Sequence, residues 1–334
     1  MIADAHTDLL QELAWRERRL GEVDVFARTW LPVLDRGAVR LQVCPVYVDA
    51  FVQPEGSLRE SLSQVTAFHH AVAENPERVV WIRHADDLDA LDGTDALGLL
   101  LSLEGVEQFG IETWPADLFH ALGVRMAGLT WNRRNAYADG AVESGGGGLS
   151  RIGRELVERF LDLGIVLDLA HASARTFADA LELTAGTPVI YSHGACRAVH
   201  DTPRNLTDAQ LESLAAANGI LGLMLHPLGI DPDRPTLDRV VDHLEHAIGV
   251  MGEDRVCLGG DFTRRLWEVI PVPPEPKDGL MPPGLRPGRG IDDLAGSDDY
   301  PQLVLALERR GWTAARVEAV TSGNLVGFLR AALS

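Results

Sequence analysis

Residues 164–171 read Gly-Ile-Val-Leu-Asp-Leu-Ala-His, and their reading decides the fold. Apart from Asp168 the run is apolar on both alternating faces, so a strand here is covered on both sides, as in a parallel sheet. Helical sequence flanks it. RIGRELVERFLDL at 151–163 and the stretch 173–184 both repeat apolar residues at three-to-four spacing. Helix, doubly buried strand and helix in succession form the repeating unit of an α/β fold. The run ends on a histidine, His171.

The same unit recurs along the chain. Short apolar segments lie near 1–8, 39–48, 97–104, 124–131, 165–171, 188–193, 219–226 and 255–261. Helical periodicity covers 57–73, 207–217 and 235–250 as well as the two stretches above. Thr207, with Gln210 three residues on, reads as a capping box opening a helix. Strand–helix alternation of this length predicts a (β/α)8 TIM barrel of the metal-dependent hydrolase type. A doubly wound open sheet is the alternative. No Gly-x-Gly-x-x-Gly follows the first segment, so a dinucleotide-binding fold has no support.

No linker or internal repeat is visible, so residues 1–334 are expected to form one domain. Gly145 to Gly148 predict a flexible loop above the barrel rim. A Pro/Gly-rich stretch at about 270–290 follows the last segment, where a lid or a plain surface excursion fits equally.

The formal net charge is −19 and the pI is near 4.9, which disfavours nucleic acid and anionic membranes as partners. Cys44, Cys196 and Cys257 are too few and too scattered for a disulfide framework. They read as buried thiols of a cytoplasmic protein. No secretion signal and no membrane-spanning run is apparent, so no membrane association is expected.

A barrel of parallel strands brings its C-terminal strand ends to one rim. Here several segments end on residue types that bind divalent metal: His6 and Asp8, Glu104, His171, His193 and Asp261. Two residues apart in a strand, His6 and Asp8 would share a face. Glu104 closes an apolar run, where a carboxylate is costly unless paired or metal-bound, and its two oxygens can bridge two ions. A lone histidine at a strand end is more often a hydrogen-bonded core residue, but two on successive strands favour ligands. Asp261 follows Gly259-Gly260 and is placed to exchange a proton with a bound water, unless it merely closes an Asx turn. Asp168 is three residues before His171 and is expected to play a structural or supporting part. Glu107 is expected to be solvated, and His226 is a candidate to face substrate. The sole lysine is Lys277 in the Pro-rich stretch, so a carboxylated lysine bridging two metals is not expected.

These residues carry a family resemblance. The chain resembles the membrane dipeptidase (renal dipeptidase) family of zinc peptidases, family M19, among the amidohydrolase-like barrels. The likeness runs almost end to end. It includes Asp4-Ala-His-Thr-Asp8, Glu104-Gly105, Leu129-Thr-Trp-Asn-Arg-Arg-Asn-Ala-Tyr-Ala-Asp-Gly140 and Asp168-Leu-Ala-His-Ala-Ser173. It continues through Ser192-His-Gly-Ala-Cys-Arg-Ala-Val199, Pro203-Arg-Asn-Leu206, Gly259-Gly-Asp-Phe262 and Gly323-Asn324.

The resemblance implies two Zn2+ per chain, bridged by Glu104. His6 and Asp8 would complete one site, and His171 and His193 the other. It also implies that Arg204 binds the substrate carboxylate, that Asp261 is the general acid/base, and that the chain is a homodimer. The expected activity is hydrolysis of dipeptides. Imidazole and carboxylate ligands accept manganese or cobalt as well.

There are departures from the family pattern. Trp131 stands where animal members carry a substrate-contacting histidine, and Asn132, Tyr137 or His226 are candidates to compensate. Thr263-Arg264 replaces the usual Asp-Gly, and no lipid-anchor tail is evident. Trp131 keeps open another amidohydrolase reaction on the same site, on an N-acyl amino acid, a lactam or a lactone. A catalytically inactive small-molecule binder is the remaining alternative.

Overall fold

The computed structural model describes residues 1–271 and 288–334. Most of the Pro/Gly-rich stretch expected at about 270–290, Lys277 included, lies outside the described residues. Among them are nine strands: β1 (Ile2–Asp4), β2 (Val39–Tyr47), β3 (Val79–Trp81), β4 (Leu97–Glu104), β5 (Val124–Gly128), β6 (Val166–Asp168), β7 (Val189–Gly194), β8 (Ile220–Met224) and β9 (Val256–Gly259). Hydrogen bonding runs β2-β1-β9-β8-β7-β6-β5-β4, and β2 pairs with β4 to close the ring. Every pairing is parallel. The ring is the (β/α)8 barrel, and its strands are those marked by the apolar segments.

β3 stands outside the ring and carries no sequence signal of its own. It pairs with Leu97–Leu99 of β4, on the edge that β5 takes over from Leu101. Three residues are too few for a period-two pattern to show.

Alternation sorts the barrel's side chains into two layers. Leu41 and Val43 of β2, Leu100 of β4 and Ile190 of β7 point inward and cluster with Leu325 and Leu329. Those two leucines belong to the C-terminal helix Asn324–Ala332, which plugs the bottom of the barrel. Leu99, Leu101 and Leu103 point outward into the layer beneath the surrounding helices. Each fully buried leucine contributes roughly 1.5–3 kcal/mol of transfer free energy. The bottom and walls are therefore well held, and the top can carry polar groups.

Two inward glycines shape the upper barrel. A Cβ added at Gly222 or Gly259 would lie 1.9 Å from the Ser192 carbonyl oxygen. Without those side chains, β8 and β9 can close against the backbone of β7 just below His193.

The helices fall where periodicity places them: Ser57–Ala73, Arg151–Leu163, Ala174–Leu183, Asp208–Ala216 and Leu237–Met251. The Thr207–Gln210 capping box is present in both directions. Ser150, Ser173 and Thr236 cap three further helices through their hydroxyls.

The Gly145–Gly148 segment, expected as a loop, is a mostly exposed loop with hydrogen bonds at its C-terminal end. The Gly147 N–H donates to Asp139 Oδ2 at 2.7 Å, and the Leu149 N–H to Asp179 Oδ2 at 3.0 Å. Asp139 is eight residues away and Asp179 thirty, so the second contact is one that local composition does not report. Among the described residues no helix is long and apolar enough to cross a membrane.

Candidate metal centre

The site forms on the C-terminal rim, but the strands are shorter than their apolar runs. β1 ends at Asp4, whose carboxylate accepts the His6 N–H at 3.0 Å and the Thr7 hydroxyl at 2.9 Å. The chain therefore turns before His6, and Asp8 becomes the N-cap residue of the helix Leu9–Trp15. His6 and Asp8 meet through a turn, not through the pleat of a strand as the i, i+2 spacing suggested. Asp4 also accepts the Gly260 N–H at 2.7 Å, which ties this turn to the end of β9.

Glu104 is the last residue of β4, and His193 lies within β7. His171 and Asp261 follow their strands by a few residues in left-handed backbone, with φ of +65° and +52°. A non-glycine residue there carries strain on the order of 1–2 kcal/mol, and such strain concentrates at functional sites. It aims both side chains back over the barrel mouth. The Asp261 N–H donates to the His6 carbonyl at 2.8 Å, which joins the two ends of the constellation.

The side chains converge on one carboxylate. Glu104 Oε1 lies 2.8 Å from His171 Nε2 and 3.7 Å from His193 Nε2, and Oε2 lies 3.5 Å from His6 Nε2. His6 Nε2 is 3.8 Å from Asp8 Oδ1. His171 Nε2 and His193 Nε2 are 2.7 Å apart. Three triads each bring ligand atoms within 4.8 Å of one another: His6, Asp8 and Glu104; Glu104, His171 and His193; His6, His193 and Asp261.

Burial governs the charges. It pushes Glu104 up to about 8, with Arg204 opposing and Asp168 adding. Burial, then the Glu104 charge, pushes Asp8 up to about 7. Asp261 is raised to about 8, again chiefly by burial. His171 and His193 are driven well below the ordinary imidazole range, chiefly by burial, with the Arg204 guanidinium adding. Without a cation, these three acids are held toward neutrality and the His171 and His193 rings neutral.

This donor set suits a divalent metal. His6 Nε2 and Asp8 Oδ1 are buried and have no hydrogen-bond partner. An orphaned acceptor in a buried cluster normally costs about 1–3 kcal/mol, and a cation would satisfy both. Imidazole nitrogens mixed with carboxylate oxygens match zinc and its first-row neighbours.

Arg204 sits beside the cluster and is 8% exposed. Its Nη1 donates to the Tyr191 hydroxyl at 2.9 Å and its Nη2 to the His193 carbonyl at 3.2 Å. Asn205 pins the same loop, donating to the carbonyls of His200 at 2.9 Å and Gly229 at 2.7 Å. His226 caps the short helix Pro227–Ile230, and burial with Arg204 nearby lowers it to about 4. The Trp131 ring lies 5.8 Å from that of His171 and 5.5 Å from that of Tyr47.

Three expected roles do not match the contacts. Tyr137 is fully buried among apolar residues and its hydroxyl donates to the Glu112 carbonyl at 2.6 Å, so it does not reach substrate. Asn132 Oδ1 is taken up by His171 Nδ1 at 2.7 Å, which makes it a support for that ring. Glu107 is half-buried and not freely solvated. It accepts from Asn135 Nδ2 at 3.2 Å, and burial raises it. Tyr47 and Asp4 were not singled out from sequence. Tyr47 is placed by its register opposite Glu104, which needs the β2–β4 pairing. Asp4 had a weak signal, a carboxylate inside an apolar strand two residues before His6.

Known proteins share this framework. Residues 1–268 match the family described as membrane dipeptidase, peptidase family M19. Dipeptidase tcpJ of Claviceps purpurea is 30% identical over 278 residues, which is 82% of this chain and 60% of that protein. Dipeptidase verJ of Clonostachys rogersoniana is 30% identical over 309 residues, 92% of this chain and 71% of that one. The chain thus spans well short of the full length of these relatives. Among solved structures, a metallo peptidase from Rhodobacter sphaeroides, liganded with a phosphinate mimic of the dipeptide L-Ala-D-Ala, superposes with a TM-score of 0.84. It covers 99% of both chains at 22% identity, a likeness of fold. The chain belongs to the membrane dipeptidase family, a family of metallopeptidases.

Proposed function

We propose that this member of the membrane dipeptidase family hydrolyses dipeptides at a binuclear zinc site. One observation carries the reading. A single carboxylate, Glu104, turns one oxygen toward His171 and His193 and the other toward His6. His6, Asp8 and Glu104 would hold one ion, and Glu104, His171 and His193 the other. When bound, such ions supply Lewis acidity and bring the pKa of water down to roughly 7.

The chain's own residues do the rest. Arg204 binds the substrate's terminal carboxylate, and its contacts to Tyr191 and His193 hold the guanidinium plane for paired hydrogen bonds. A carboxylate fixed there limits substrates to short peptides. Asp261 accepts a proton from the attacking water at its carboxylate and delivers it to the departing amine nitrogen. Its backbone tie to His6 keeps it at the site. Trp131 and Tyr47 form an aromatic wall that excludes water from one side. The three cysteines are buried and unpaired, which supports a reducing, cytoplasmic setting. A homodimer is the proposed assembly.

Trp131 favours a second reading, because an indole replaces the histidine of animal members beside the metal ligands. An N-acyl amino acid, a lactam or a lactone would then be the substrate. The test is hydrolysis of a panel of L,L and L,D dipeptides by zinc-loaded protein, with metal content measured on the same sample. Turnover with about two ions per chain supports the dipeptidase. Two ions and no dipeptide cleaved would transfer the function to the acylated and cyclic substrates.

A further inference from the structure

We infer that Asn132 and the Asp168–Ser192 pair are positioning residues that set the tautomer of the two facing imidazoles, His171 and His193. The inference rests on the metal-dependent reading of the site and concerns residues outside the ligand set.

Each ring is held from behind at Nδ1. His171 Nδ1 lies 2.7 Å from Asn132 Oδ1. An amide oxygen only accepts, so the proton of the neutral ring is on Nδ1. His193 Nδ1 lies 2.9 Å from Ser192 Oγ. That hydroxyl is itself 2.5 Å from Asp168 Oδ2. Asp168 also accepts the N–H groups of Ala170 and Ser192 at Oδ1, each at 3.0 Å. Every partner of Asp168 here is a donor, so its two oxygens only accept. The serine hydroxyl therefore donates to Asp168 and turns a lone pair toward His193, whose Nδ1 then donates.

The consequence appears at the front of the rings. Both Nε2 atoms are left as bare acceptors, 2.7 Å apart and facing Glu104 Oε1. Two lone pairs at that distance repel unless a cation lies against them. The supports thus fix the ring planes and the tautomer that a metal requires, before any metal arrives. They differ in kind: a neutral amide stands behind His171, and a serine leading to a carboxylate stands behind His193. All three supporting residues are buried.

The test uses four variants: Ser192→Ala with Ser192→Thr as its conservative partner, and Asn132→Leu with Asn132→Asp. The readouts are zinc stoichiometry and dissociation constants from competition with a chromophoric chelator, and the visible spectrum of the cobalt-substituted protein. Wild type should hold two ions. Ser192→Ala and Asn132→Leu should keep one ion and bind the other about 10- to 100-fold more weakly, with an altered cobalt band. Ser192→Thr and Asn132→Asp should restore affinity, which a loss of packing alone would not predict. If the Ser192 variants do not fold, the Asn132 pair decides, because Asn132 lies on a loop. Wild-type affinity and spectrum in both the alanine and leucine variants would overturn the inference while leaving the dipeptidase reading intact. A wild-type chain that takes up no metal would overturn both.

Discussion

Removing metal should make the stability of this protein fall as pH rises from 7.0 to 8.0. In the metal-free fold burial raises Glu104 and Asp261 to about 8. In the unfolded chain both titrate in the ordinary carboxylate range, so above pH 7 only the folded state retains their protons. A carboxyl raised in the fold contributes stability that is complete below its unfolded value and is lost as pH climbs through its folded value. His171 and His193 are shifted the opposite way, but above pH 7 they are largely neutral in both states and drop out. One retained proton contributes about 1.4 kcal/mol per pH unit, so one or two give a loss of about 1–3 kcal/mol over this interval. At about 2.1 cal/mol/K per residue, the unfolding entropy of a chain this size converts that loss to roughly 1–4 °C in melting temperature. The assay is calorimetry of chelator-treated protein at the two pH values, repeated with saturating zinc. Zinc should reverse the trend, because binding displaces those protons and strengthens as pH rises. Metal-free protein that is equally or more stable at pH 8.0 would refute the burial argument.

Three further outcomes follow from the site. Asp261→Asn should lower kcat by about 10²–10⁴-fold, the usual contribution of a positioned acid/base, while two ions stay bound. Activity near wild type in that variant would remove Asp261 from the reaction. Arg204→Lys keeps the charge but loses the planar fork, so kcat/KM on dipeptides should drop about 100-fold, near 3 kcal/mol. An unchanged KM and kcat would put the carboxylate elsewhere. Tyr137→Phe should cost about 1 kcal/mol of stability through the Glu112 hydrogen bond and leave KM unaltered, and a raised KM would return Tyr137 to the substrate pocket.

The barrel was readable because its information is local. Continuous apolar strands such as 165–169, flanked by amphipathic helices, carry the parallel α/β pattern in one short window. Thr207 and Gln210 even mark a helix start to the residue. β3 was unreadable because three residues hold no period. The contact of the Gly145–Gly148 segment's end with Asp179 was unreadable because local composition does not report a partner thirty residues away. Residue chemistry also nominated the ligand types, yet for His6 and Asp8 the geometric reason was a turn set by Asp4.

The sequence by itself determined the fold class, the six side chains that converge at the barrel mouth and the family they resemble. Those follow from residue identity, order and short-range period. Only the tertiary structure decided what each polar atom touches. It turned Tyr137 away to Glu112, committed Asn132 to His171, linked Asp168 to His193 through Ser192, and set Tyr47 beside Glu104. The physical reason is range. A hydrogen bond forms within about 3 Å in space and is indifferent to separation along the chain. Asp4 and Gly260, hydrogen-bonded at 2.7 Å across 256 residues, meet because closing the barrel sets β1 against β9.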